Sequence, residues 1–116
     1  MLSAHYLYPM NLKSILDEAL IVTEEAAASI RSQAGKVTAE DVISKSRNSL
    51  VSYVDKTAEE ILVKGLGKIL PEAGFITEEG TVAQHTSEYT WVIDPLDGTT
   101  NFLQQIPIYS VSVGLV

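Results

Sequence analysis

The sequence predicts an α+β fold in which two long helices pack on one face of a mostly antiparallel sheet. Three observations carry this. Apolar residues recur at helical spacing from Asn11 to about Ser32, and again from Asp55 to about Leu70. Short β-branched and aromatic runs then follow near residues 75, 91 and 110.

Taken in order, Asn11 caps the first helix, whose stripe is Leu12, Ile15, Leu16, Ala19, Leu20, Ala26, Ala27 and Ile30; Asp17, Glu18, Glu24 and Glu25 form its solvated face. Gly35 ends it. Lys36 to Ser52 is polar and weakly alternating, and reads as a loop or loose hairpin. Asp55 opens the second helix as its N-cap, with a stripe of Ala58, Ile61, Leu62, Leu66, Ile69 and Leu70 before Pro71. Glu59 and Glu60 read as exposed helix acids. Gly65-Leu66-Gly67 follows no strand and has no third glycine, so it marks close helix packing or a kink rather than a nucleotide loop. Phe75 to Thr77 is a short strand with Glu78 and Glu79 at its end. His85, in the polar loop Thr81 to Tyr89, is an exposed histidine without a nucleophile, and His5 carries no more.

The stretch Trp91 to Phe102 is where the chemistry is expected. Thr90 to Ile93 reads as a buried strand ending at Asp94, and Pro95 stops it. A β-turn begun by Asp94 and Pro95 brings Asp97 to within about 7 Å of Asp94 at the α-carbons. With the Leu96 carbonyl, the two carboxylates offer hard oxygen ligands suited to Mg²⁺ or Mn²⁺. Gly98 permits close backbone approach, and Thr99 or Thr100 caps a helix starting near Asn101 whose free N–H groups attract an anion. Paired acids beside an anion hole point to phosphate. Leu103 to Ile106 finishes a short turn. The last strand alternates Tyr109, Val111, Val113 and Leu115 on one side with Ile108, Ser110, Ser112 and Gly114 on the other.

Composition sets bounds. A chain of 116 residues makes one domain at most. A net charge of −7 argues against nucleic acid as a partner, and the lack of cysteine fits a reducing compartment. No run approaches the roughly 18 apolar residues of a membrane span, so the cytoplasm is the expected location.

Asp94-Pro-Leu-Asp-Gly-Thr-Thr-Asn-Phe102 resembles the signature of the inositol monophosphatase family, within the Mg²⁺-dependent, lithium-sensitive sugar phosphatases. Phe75-Ile-Thr-Glu-Glu-Gly80 and Tyr53-Val-Asp-Lys-Thr-Ala-Glu-Glu-Ile61 resemble two further family segments, in the family's order. The resemblance implies the first layers of a layered α-β-α-β-α sandwich, in a native chain that continues beyond Val116 with a further metal-binding aspartate. It implies Glu78, Asp94, the Leu96 carbonyl and Asp97 as ligands of two or three Mg²⁺ ions. Asp55 and Thr99 would then be a catalytic pair, Gly98, Thr99 and Thr100 would bind the substrate phosphate, and Lys45 and Asn48 would sit on a flap over the site. The implied activity is a phosphomonoesterase of inositol monophosphate or a similar small polyol phosphate, acting as a homodimer. Fructose-1,6-bisphosphatase or another sugar or nucleotide phosphatase is one alternative. A catalytically incomplete metal- or phosphate-binding fragment, serving as an association module, is another.

Overall fold

The computed structural model describes residues 11–36 and 44–116, with side chains from Ser49 onward in the second stretch. Six elements follow one another: α1 (Leu12–Gln33), α2 (Ser44–Ile69), β1 (Gly74–Ile76), β2 (Thr90–Asp97), α3 (Thr99–Leu103) and β3 (Ser110–Leu115). The α+β expectation stands, and the sheet is mixed. In the order β1-β2-β3, β1 runs parallel to β2 and β3 antiparallel to it. No described helix is long and apolar enough to cross a membrane.

The Asn11 side chain accepts the Ser14 N–H at 3.1 Å, which satisfies one of the amides that the first turn of α1 leaves free. Ala19, Val22, Ala26 and Ile30 form the buried face of α1 against α2. Leu12, Leu16 and Leu20, expected in that stripe, are more than half exposed. They stand one step round the helix, on an open groove facing Val111, Val113 and Leu115 of the sheet. Gly65 lets the two helices approach closely, because a β-carbon there would lie 2.5 Å from Val22 Cγ1.

The second helix starts earlier than expected. Ser44 to Ser52 is helical rather than a loop or hairpin, so Asp55 lies well inside α2 and caps nothing. Burial of Val54, Ala58, Leu62 and Leu66 pins the helix to the sheet. The backbone of Lys45 and Asn48 is in the first turns of this helix, and their side chains lie outside the described residues, as does all of Met1–Met10 with His5.

Residues 77–89 cross over from β1 to its parallel neighbour, a connection of the length such a pairing demands. On the way back the chain touches the free edge of β1, where Phe75 and His85 exchange backbone hydrogen bonds of 2.9 and 3.1 Å. His85 itself is exposed. On β3, Val111, Val113 and Leu115 pack against the core while Ser110 and Ser112 face outward, as their alternation predicts.

Candidate active site

Pro95 does not stop its strand. β2 runs on to Asp97, and the pairing shifts between Asp94 opposite Ser112 and Asp97 opposite Ser110. Pro95 and Leu96 therefore face the single residue Val111, which is a β-bulge, one of the few places where a strand tolerates a residue without an N–H. The bulge resets the phase of the strand. Trp91 and Ile93 are buried and alternate with Val92 and Asp94; then Pro95 and Leu96 are both buried, and Asp97 is exposed. Without the bulge, a separation of three residues would put Asp94 and Asp97 on opposite faces. With it they share one. The β-turn expected from the sequence is thus replaced by a different device that also puts both acids on one side.

Topology adds the third acid. Ile76 is in register with Val92, so Glu78, two residues on, comes alongside Asp94 at the carboxyl ends of the parallel pair. Burial, then the charge of Asp94 and hydrogen bonding with it, push the Glu78 carboxyl above its ordinary value. Asp55 reaches the same cluster from α2. Burial first, then the charges of Glu79, Asp94, Glu78 and Glu59, raise it from 3.8 to about 7.

Beyond Asp97 the chain turns at Gly98, with φ of 92° and the Ile108 carbonyl 3.0 Å from where a β-carbon would stand. Gly98, rather than Thr99 or Thr100, is the N-cap, and α3 begins at Thr99 instead of near Asn101. The first bond of this helix runs from the Phe102 N–H to the Gly98 carbonyl at 3.0 Å. The Thr99 hydroxyl donates to the Leu96 carbonyl at 3.5 Å, and among the described residues no hydrogen bond joins it to Asp55.

Glu59 overturns its expected role. It is fully buried, one helical turn after Asp55, not exposed as helix acids usually are. Its Oε1 accepts the N–H groups of Glu78 and Glu79 at 3.0 and 2.9 Å. Oε2 accepts the N–H and the hydroxyl of Thr81 at 3.1 and 2.7 Å. Burial by itself would raise this carboxyl, but these bonds hold it below its ordinary value. The one signal in the sequence is spacing: Glu59 follows Asp55 by four residues and is flanked by the buried Ala58 and Leu62.

Acids from α2, from the end of β1 and from the bulged strand β2 thus come together. The profile of the inositol monophosphatase family covers residues 11–116. The chain belongs to this family. It is 42% identical over 106 residues to the fructose-1,6-bisphosphatase/inositol-1-monophosphatase of Aquifex aeolicus, covering 91% of this chain and 40% of that protein. It is 37% identical over 107 residues to the inositol-1-monophosphatase of Mesorhizobium japonicum, covering 91% and 40%. The solved structure of the extragenic suppressor protein suhB from Bartonella henselae superposes with a TM-score of 0.70 at 30% identity, covering 88% of this chain and 38% of that one. The chain thus spans about 40% of the length of the curated relatives it matches.

The donor chemistry fits a hard divalent cation. Asp94 Oδ1 is buried and has no hydrogen-bond partner, a state that a carboxylate oxygen tolerates poorly unless a cation faces it. Its neighbours offer only oxygen. Among the described residues no three acids yet surround one point closely enough to ligate it.

These shifts set a pH dependence. Asp55 and Glu78 hold protons in the folded chain that the unfolded chain releases, so their contribution is complete below about pH 4 and lost as pH rises through about 7 for Asp55. Glu59 has the opposite sign, its contribution being lost as pH falls below its ordinary value. The metal-free protein should therefore melt highest near about pH 5, and Mg²⁺ should raise Tm more at about pH 8 than at about pH 5. Thermal melts with chelator or Mg²⁺ across this range check both, and equal Mg²⁺ effects at the two pH values would contradict the account.

Proposed function

We propose that these residues serve a Mg²⁺-dependent phosphomonoesterase that acts on inositol monophosphate or a similar small polyol phosphate, as a cytoplasmic homodimer. The observation that carries the reading is the bulge at Pro95–Leu96, which turns Asp94 and Asp97 to one face beside Glu78. Glu78, Asp94, the Leu96 carbonyl and Asp97 would hold two or three ions. Bound Mg²⁺ supplies charge neutralisation and an acidified water. The chain's own groups do the rest. The Thr99 and Thr100 amides precede the first hydrogen bond of α3 and so remain available to phosphate oxygens. Asp55 lies beside this acid cluster and would act on a proton there, with Thr99 as its expected partner.

One finding favours a second substrate. The Aquifex aeolicus relative is named for fructose 1,6-bisphosphate as well as inositol 1-phosphate. Both esters should be assayed for phosphate release with Mg²⁺ and with chelator, and Asp97→Asn assayed in parallel. Mg²⁺-dependent release that Asp97→Asn removes would support the reading. Release that persists in a folded Asp97→Asn protein would refute the role of Asp97. No release from either ester would leave the chain as a metal- or phosphate-binding part of a larger assembly.

A further inference from the structure

We infer that Glu59 is a positioning residue: its buried carboxylate fixes the backbone of Glu78–Thr81 and so aims Glu78 at Asp94. The inference rests on the metal reading above and deepens it.

The argument begins from satisfiability. Four donors from one short loop converge on Glu59: three backbone N–H groups and one hydroxyl, at 2.7 to 3.1 Å. Only an acceptor with two oxygens and no hydrogen of its own can meet all four. Glutamine would keep one oxygen for Glu78 and Glu79 and turn an NH₂ group toward the Thr81 N–H. The position requires a carboxylate.

Two bonds between Thr77 and Gln84, at 2.8 and 2.7 Å, tie the base of the loop, and among the described residues Glu59 is what holds Glu78 to Thr81. β1 ends at Ile76, so neither Glu78 nor Glu79 has a strand partner for its N–H, and both side chains lie outside the core. Glu78 stands beside Asp94, and where both carboxyls are ionised their repulsion would swing an unanchored loop into solvent. Glu59 lies on α2, the helix packed on β2, and thus ties the loop to the same frame that carries Asp94. Tying Glu78 to that frame fixes where a cation meets both carboxylates. Groups that orient metal ligands in this way commonly matter to affinity by about 10- to 100-fold.

The test uses Mn²⁺ alone as the probe, with affinity measured by calorimetry, and amide hydrogen exchange of Glu78 and Glu79 measured without metal. Glu59→Gln should speed exchange at both amides and weaken Mn²⁺ by about 10- to 100-fold. In a Glu78→Gln background the same change should weaken Mn²⁺ no further, which a general loss of stability would not reproduce. Should Glu59→Gln fail to fold, Thr81→Val removes one of the four donors and should weaken Mn²⁺ several-fold, with Thr81→Ser restoring it. The inference is overturned if folded Glu59→Gln binds Mn²⁺ like the unaltered chain while Glu78→Gln does not, or if the two losses add. If Glu78→Gln and Asp94→Asn both leave Mn²⁺ binding unchanged, the metal reading itself falls, and the role assigned to Glu59 falls with it.

Discussion

Asp94→Asn is expected to weaken Mn²⁺ or Mg²⁺ binding by on the order of 100-fold or more, and to raise the melting temperature of the metal-free protein. Both effects come from one carboxylate. Asp94 is half-buried, and its Oδ1 has no hydrogen-bond partner. Its charge acts on both Asp55 and Glu78, pushing each carboxyl upward. Without a cation, this is a site of stored repulsion, as sites built for a ligand often are. Asparagine keeps the shape, removes one negative charge, and supplies an NH₂ donor that Glu78 can accept. The folded state should gain, and Asp55 should shift back toward its ordinary range because one of the charges raising it is gone. The cation loses the ligand at the centre of the cluster, a larger loss than removal of a supporting group. Calorimetry with Mn²⁺ and thermal melts in chelator read the two effects separately. An Asp94→Asn protein that melts lower than the unaltered chain without metal, or that binds Mn²⁺ as well, would contradict this account.

How far the sequence discloses this arrangement depends on how local each determinant is. The start of α1 is set by Asn11 and a neighbour three residues away, and β3 by its own alternation, so both are legible. The acids Glu78, Asp94 and Asp97 are legible as residue types in a familiar order. The route that brings Asp94 and Asp97 to one side is not, because a bulge exists only relative to a partner strand, and Val111 lies 15 residues beyond Leu96. Pro95 therefore reads by its usual meaning, as the end of a strand. Glu59 escapes notice for a related reason. Its four donors lie 19 to 22 residues away, and three of them are backbone groups that no side-chain pattern reveals. Asp55 reads as a cap because an aspartate before an apolar stripe usually is one. The serine-rich turns preceding it are helical and lie ahead of the buried stripe, which begins at Val54. On α1, the exposed Leu12, Leu16 and Leu20 and the buried Ala19, Val22 and Ala26 are neighbouring apolar rows of one helix, and composition alone does not say which row meets α2.

That last ambiguity leads to the largest expected loss of stability, at Gly65. A β-carbon there would stand 2.5 and 2.7 Å from the two γ-carbons of Val22 and 3.2 Å from its β-carbon. Val22 is buried and β-branched, so it has no free rotamer into which to retreat. Alanine in place of a helical glycine should gain about 1 kcal/mol in helix propensity. Overpacking of this kind costs about 1–3 kcal/mol, and a clash with three carbons of a stiff side chain belongs at the upper end. Strain wins. Gly65→Ala should lose about 2 kcal/mol net, lowering Tm by roughly 8 °C in a domain of this size. Gly65→Leu should lose considerably more, because the α1–α2 contact would have to open. The pair can be tested for coupling. Val22→Ala alone should destabilise by leaving a void, yet it should make Gly65→Ala neutral or favourable, since the methyl groups in the way are gone. Denaturant melts of the four proteins in this cycle give the interaction energy. Simple additivity would mean that the helices already have room, and that Gly65 is there for some reason other than close approach.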